Sequence, residues 1–112
     1  MGRLNSGKEG EKLAVEYLLK KGYKILEKNF RTPAGEIDII AKDRNFIVIV
    51  EVKRRISDKY GEPELAVNYK KQQKLKKLAI YYLCRLGKEL PVRFDVIAIR
   101  GSKIEHIENA FF

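Results

Sequence analysis

Apolar residues recur along this chain with two spacings, one suited to strands and one to a helix. Leu75, Leu78, Ala79, Tyr82, Leu83 and Leu86 form a stripe at helical period. That stripe predicts a helix from about residue 64 to residue 86, with a break point at Asn68 and a stop at Gly87. Near the N-terminus, Ser6 followed by Glu9 is a capping-box pattern. Ala14, Tyr17, Leu18 and Lys21 then share one side of a first helix, which Gly22 can end. Strand patterns cover 23–30, 36–42, 46–54 and 92–100. Thr32-Pro33-Ala34-Gly35 reads as a turn. Residues 56–63, with Gly61 and Pro63, read as a loop. Gly101-Ser102 suits a two-residue type II′ turn into a last strand over 103–107. The predicted order is α-β-β-β-α-β-β. A helix between the third and fourth strands permits a parallel crossover, so a mixed central sheet is expected.

The pair of strands at 36–42 and 46–54 holds the candidate chemistry. The second is apolar until it ends in Glu51, Val52 and Lys53. A two-residue Arg44-Asn45 turn, or a four-residue turn over 43–46, gives one and the same register. Asp38 then lies opposite Glu51, Glu36 opposite Lys53, and Ile40 opposite Ile49. The other face carries Ile37 with Val52 and Ile39 with Val50. A three-residue turn would mix charge into that apolar face and is disfavoured. The preferred register brings two carboxylates to roughly 5 Å at Cβ. Such a pair repels unless one is protonated or a cation lies between them. Mg²⁺ favours one or two carboxylates completed by water and phosphate oxygen. The bland alternative is a Glu36–Lys53 cross-strand ion pair with Asp38 solvated at a sheet edge.

Composition narrows the partners. The 112 residues fit a single domain spanning 1–112. Lys and Arg number 24 against 15 Asp and Glu, a net charge of +9. That surplus suits a polyanion, either nucleic acid or an acidic membrane surface, though basic small proteins are also simply soluble. No run approaches the roughly 20 apolar residues of a membrane span, and no signal-type apolar region opens the chain. One cysteine, Cys84, leaves no internal disulfide or multi-cysteine zinc site. A cytoplasmic location is expected.

Lys70, Lys74, Lys77, Arg85 and Lys88 line the side of the long helix opposite its apolar stripe, with Tyr81 among them. Like charges one turn apart repel mildly, which a phosphate backbone would relieve. A merely solvated face is an equal reading of the helix alone. Arg54, Arg55 and Lys59 extend positive charge beyond the carboxylates. Glu11 borders the inner face of the first helix, where Gly7 and Gly10 permit close approach. It would reach a metal site or serve as a first-turn glutamate favouring the helix dipole. The only histidine, His106, reads as a partly exposed strand residue, so histidine zinc ligation and a serine triad fit poorly. No Walker-type phosphate loop is present. Asp95 reads as a salt-bridge partner before an outer role at a site, and Cys84 as exposed.

Gly7-Lys8-Glu9-Gly10-Glu11 with Ala14, Gly35-Glu36-Ile37-Asp38, Val50-Glu51-Val52-Lys53, Lys70, Arg93-Phe94-Asp95 and Asn109-Ala110-Phe111, in that order, resemble the YraN-like family of small bacterial proteins. The resemblance spans nearly the whole chain. The family in turn resembles the PD-(D/E)xK, restriction-endonuclease-like superfamily, near the Holliday-junction resolvases. Gly35-Glu36 stands where the superfamily's named motif has proline. The resemblance implies a three-layer α/β sandwich with a mixed central sheet. It implies a metal-binding Asp38, a second acidic ligand in Glu51, a catalytic Lys53, and in Glu11 the helix-one glutamate of the resolvase-like branch. The implied activity is endonucleolytic hydrolysis of phosphodiester bonds, with branched DNA as a candidate substrate. Mg²⁺ or Mn²⁺ would be held by Asp38, Glu51 and the Val52 carbonyl. Arg54, Arg55, Lys70, Lys74 and Lys77 would contact phosphates without reading sequence. Nucleic acid, DNA foremost, is the expected partner. Two-fold pairing of chains would suit cuts in both strands of a symmetric substrate. A catalytically silent nucleic-acid-binding module of the same fold is the competing expectation, and a protein-interaction scaffold a weaker third.

Overall fold

The computed structural model describes residues 6–55 and 67–111; the side chains of residues 6–8 and of Arg55 fall outside what it describes. The predicted loop 56–63, Lys59, helical residues 64–66 and the side-chain half of the Ser6 capping box therefore lie outside the described residues. The elements are α1 (Ser6–Lys20), β1 (Lys24–Thr32), β2 (Gly35–Asp43), β3 (Phe46–Arg55), α2 (Tyr69–Leu86), β4 (Val92–Arg100) and β5 (Lys103–Phe111). Their order is the expected one. The sheet runs β1-β2-β3-β4-β5, with β3 and β4 parallel and every other pair antiparallel. It is mixed for the anticipated reason: α2 carries the chain back so that β4 starts at the same end as β3.

Each face of the sheet is buried under one helix. Ala14 and Leu18 of α1 pack on Ile39, Ala41, Val48, Val50, Ile97 and Ile99. Leu75, Leu78, Ala79 and Tyr82 of α2 pack on Ile40, Ile47, Ile49 and Val96. Residues 47–50 are all buried because alternate members serve opposite faces, which explains an unbroken apolar run in a strand. The helix termini follow local rules. Asn68 caps α2 through its side chain, which accepts the Lys71 N–H at 2.8 Å. The break point anticipated at Asn68 is therefore the start of the described helix. Gly87 closes it in the left-handed conformation (φ 72°), its N–H reaching the Leu83 carbonyl at 2.9 Å.

Three expectations need correction. As far as the ladder runs, the β2–β3 register is the preferred one, with Ile39 opposite Val50, Ile40 opposite Ile49 and a two-residue Arg44-Asn45 turn; the expected pairs Asp38–Glu51 and Glu36–Lys53 lie beyond its last pair, and Glu36 meets Arg31 instead. Ile37, however, does not share a face with Ile39: it lies with Phe30 in the core under α2. The switch coincides with left-handed backbone at Asn29 (φ 52°), which stands opposite Asp38 between the pairs Lys28–Ile39 and Phe30–Ile37. Second, β5 continues to Phe111 instead of ending at 107. A bulge with Asn109 at φ 56° interrupts its pairing, after which Phe111 stacks on Phe94 at 4.9 Å. Third, His106 is partly exposed as a residue, as expected, but not through its ring: the imidazole is 2% accessible.

Candidate functional site

The β2–β3 ladder ends at the pair Ile39 and Val50, and beyond it the two strands are joined by a side chain. Val52 donates its backbone N–H to Asp38 Oδ2 at 2.8 Å. A carboxylate thus stands where a neighbouring strand's carbonyl would otherwise accept, which fixes Asp38 in place at the opening of the hairpin. Burial pushes the Asp38 carboxyl up to about 6, and the negative charges of Glu51 and Glu11 push the same way. The Val52 N–H and the Lys71 ammonium act against them. Three acids from α1, β2 and β3 therefore share one electrostatic neighbourhood.

Each acid is held by a different partner. Glu51 is largely buried and its Oε2 lies 3.1 Å from Lys71 Nζ. Glu11 Oε1 accepts from Asn29 Nδ2 at 2.8 Å. The left-handed turn at Asn29 thus directs its amide across to α1, beside Asp38. Close approach of α1 to β3 depends on Gly10, where a Cβ would stand 3.3 Å from Arg54 Cδ and 3.7 Å from Val52 Cγ1. Lys53 follows Glu51 by two residues in a regular parallel register with β4, so strand alternation puts both on the α2 face. Among the described residues, no three His, Cys, Asp or Glu side chains converge as a complete metal-ligand set. The arrangement present is two carboxylates, Asp38 and Glu51, flanking a strand backbone at Val52. Part-buried, mutually repelling carboxylates with a hard-oxygen backbone beside them fit a small divalent cation.

The predicted phosphate contacts divide. Lys70, Lys74 and Lys77 lie exposed along α2. Arg54 instead turns toward α1, with Nη1 3.3 Å from Glu9 Oε1. The Arg55 side chain lies outside the described set. Lys71 and Asn29 were missed by sequence reasoning. Lys71 carried a signal: it stands four and seven residues before Leu75 and Leu78, on the inner stripe and not among the outer lysines. Asn29 carried none, because its role arises from a strand distortion.

A second polar network lies on the α1 face. Asp95 is 1% exposed. It accepts from Arg93 Nε at 2.9 Å and Nη2 at 3.0 Å, from the Asn109 N–H at 3.0 Å, and faces His106 Nε2 at 2.7 Å. Arg93 also reaches Asp43 Oδ2 at 2.9 Å and the Tyr23 hydroxyl at 2.6 Å. Burial alone would raise the Asp95 carboxyl, but the hydrogen bonds from His106, Arg93 and Asn109 outweigh it and hold it below the ordinary value. The network ties β2, β4 and the β5 bulge together. It satisfies its own charges, as a structural device should.

Comparison with known proteins places the chain in a family. Residues 10–99 match the model described as "Uncharacterised protein family UPF0102", so all the central acids and Lys53 fall within the match. A UPF0102 protein of Thermodesulfovibrio yellowstonii is 79% identical over 112 residues, covering all of both chains. One from Persephonella marina is 54% identical, over 94% of this chain and 91% of its own. One from Clostridioides difficile is 48% identical, over 99% of this chain and all of its own. The chain belongs to the UPF0102, or YraN-like, family.

Proposed function

We propose that this UPF0102 protein is a divalent-metal-dependent endonuclease that hydrolyses phosphodiester bonds in nucleic acid, with branched DNA a candidate substrate. The observation that carries the reading is the part-buried Asp38 carboxylate, oriented by the Val52 N–H at 2.8 Å and crowded by the charges of Glu51 and Glu11. A structural role gains nothing from that crowding, whereas a cation site uses it. The order α-β-β-β-α-β-β, a mixed sheet and one helix on each face support a restriction-endonuclease-like fold.

Asp38, Glu51 and the Val52 carbonyl would hold Mg²⁺ or Mn²⁺. Such an ion, when bound, neutralises charge on the scissile phosphate and makes a water more acidic. Lys53, on the Glu51 face, orients the attacking water and offsets negative charge developing on the phosphoryl oxygens. Glu11, steadied by Asn29, holds a further water or ion at the α1 side. Lys70, Lys74 and Lys77 position the backbone through phosphates, without reading bases.

The Lys71–Glu51 ion pair favours a second reading, a silent nucleic-acid-binding module of the same fold. There the acidic site is neutralised internally and needs no ion. Incubation with labelled linear and four-way-junction DNA, with Mg²⁺, with Mn²⁺ and with chelator, decides between them. Metal-dependent cutting that Lys53→Ala abolishes, while binding persists, supports the enzyme. Binding that never leads to cutting supports the module.

A further inference from the structure

The groove beside the first turns of α2 combines features that the phosphate-contact reading leaves unused. Ala34 of the β1–β2 turn forms one wall, and Tyr69, Lys70, Gln73, Lys74 and Lys77 form the other, around about 430 Å³. Tyr69 is 73% exposed, the most exposed of the large apolar side chains described. Among the described residues, no ring or cation packs on it. Lys70, Lys74 and Lys77 likewise have no carboxylate at ion-pair distance among the described residues. The Lys74 stem lies over Gly35, whose missing Cβ would stand 3.0 Å from Lys74 Cδ, and the side chain lines the groove. On the same helical turn Lys71 reaches Glu51 at 3.1 Å. The groove therefore opens about one turn of helix from the candidate site.

An exposed aromatic face flanked by three ammonium groups that meet no carboxylate among the described residues matches one ligand chemistry well. Unpaired nucleotides offer a π-face to stack and a phosphate for each base. A duplex offers phosphates only, its base faces being covered by their neighbours. An acidic peptide offers charge but no flat ring of matching size at regular intervals. We propose that this groove binds a single-stranded segment of nucleic acid, with a base stacked on Tyr69 and the backbone running along Lys70, Lys74 and Lys77. The inference rests on the nuclease reading for its consequence: the substrate carries an unpaired segment, such as a flap, overhang or loop, next to the scissile bond. Continuous duplex is then the poorer substrate.

The test separates the groove from the chemistry by measuring binding in chelator. Fluorescence anisotropy is read with labelled oligo-dT, oligo-U, a duplex of the same length and a duplex with a single-stranded overhang. The wild-type protein is expected to prefer the single strands and the overhang to the duplex; comparing oligo-dT with oligo-U shows whether DNA or RNA is held. Tyr69→Leu keeps an apolar side chain at an exposed position and should lose about tenfold in affinity for the single strands, with little change on duplex. Tyr69→Phe keeps the ring and should bind as wild type. Lys74→Ala with Lys77→Ala should weaken all polyanions and flatten the salt dependence. Single-strand affinity of Tyr69→Leu within twofold of wild type overturns the assignment, as does equal binding of polyglutamate. If the Tyr69 dependence is found but no metal promotes cutting, the nuclease reading falls and the groove stands. If duplex is cut as well as overhang, and Tyr69→Leu cuts both normally, the groove falls and the nuclease reading stands.

Discussion

Asp38 serves Val52 as the hydrogen-bond partner that the departing β2 backbone no longer supplies, at 2.8 Å from carboxylate to N–H. The contact links a fold requirement to a site requirement, and substitutions separate the two. Asp38→Ala leaves a part-buried N–H without its acceptor and should destabilise the protein by about 1–3 kcal/mol. Asp38→Asn keeps an acceptor oxygen and removes the repulsion from Glu51 and Glu11. Its stability without metal should equal or exceed wild type, while divalent-ion binding and any metal-dependent cutting are lost. Urea unfolding in chelator, beside the cutting assay, checks both halves.

The raised Asp38 carboxyl sets a pH dependence. Its ordinary value is 3.8 and its folded value about 6, so the folded chain holds the proton more tightly than the unfolded chain. Stability from this group is greatest below the unfolded value, falls as pH rises through the interval to 6, and is level above it. The loss relative to Asp38→Asn should be about 3 kcal/mol. Mg²⁺ favours the ionised form, so the stabilisation it confers should grow as pH rises through that interval. Urea midpoints of the two proteins across the range, with and without the ion, test the sign.

If Glu51 is a metal ligand as proposed, Lys71 and a divalent ion would compete for its carboxylate. Lys71→Met should raise the affinity of the free protein for Mn²⁺ several-fold, because a cation 3.1 Å from Glu51 is removed. Affinity for nucleic acid should fall slightly, as one positive charge is lost. Metal affinity that falls in this variant would show that Lys71 supports the site instead of occupying it.

Much of this arrangement was legible in the sequence, and the failures have physical causes. The β2–β3 register followed from apolar pairing of Ile39 with Val50 and Ile40 with Ile49, because a slip would have moved a whole apolar set. Ile37 was misplaced because alternation assumes a regular strand, whereas β2 changes face between Ile37 and Ile39, just where its ladder with β3 ends. The end of β5 was missed because Glu108, Asn109 and Ala110 interrupt its apolar pattern with a bulge that Asp95 holds from another strand. The enclosure of the His106 ring was missed for the same reason: it is set by Asp95 and by Tyr17, whose hydroxyl lies 3.2 Å from Nδ1, 89 residues away in the chain. The acids of the site were legible because an acid ending an apolar strand is conspicuous. Lys71, their neutralising partner, was hidden among similar lysines.

The Asp95 network should matter for stability and not for cutting. Asp95→Ala removes the acceptor shared by Arg93, the Asn109 N–H and His106, leaves Arg93 with Asp43 and the Tyr23 hydroxyl, and should cost about 1–3 kcal/mol. Because Asp95 is held below its ordinary value, its contribution is present above the unfolded value of 3.8 and is lost as pH falls through the lower, folded value. Acid unfolding should accordingly lose one cooperative component in Asp95→Asn. Thermal and acid unfolding measure this, and nuclease activity per folded molecule should stay constant.

A calorimetric titration of Mn²⁺ and of Mg²⁺ into the protein, alone and with a single-stranded or junction oligonucleotide present, asks most directly whether Asp38 and Glu51 form a cation site. The account expects saturable binding to the wild type, tighter with nucleic acid, and abolished in both Asp38→Asn and Glu51→Gln. No binding of either ion, with or without the oligonucleotide, or binding that both variants retain, would contradict it.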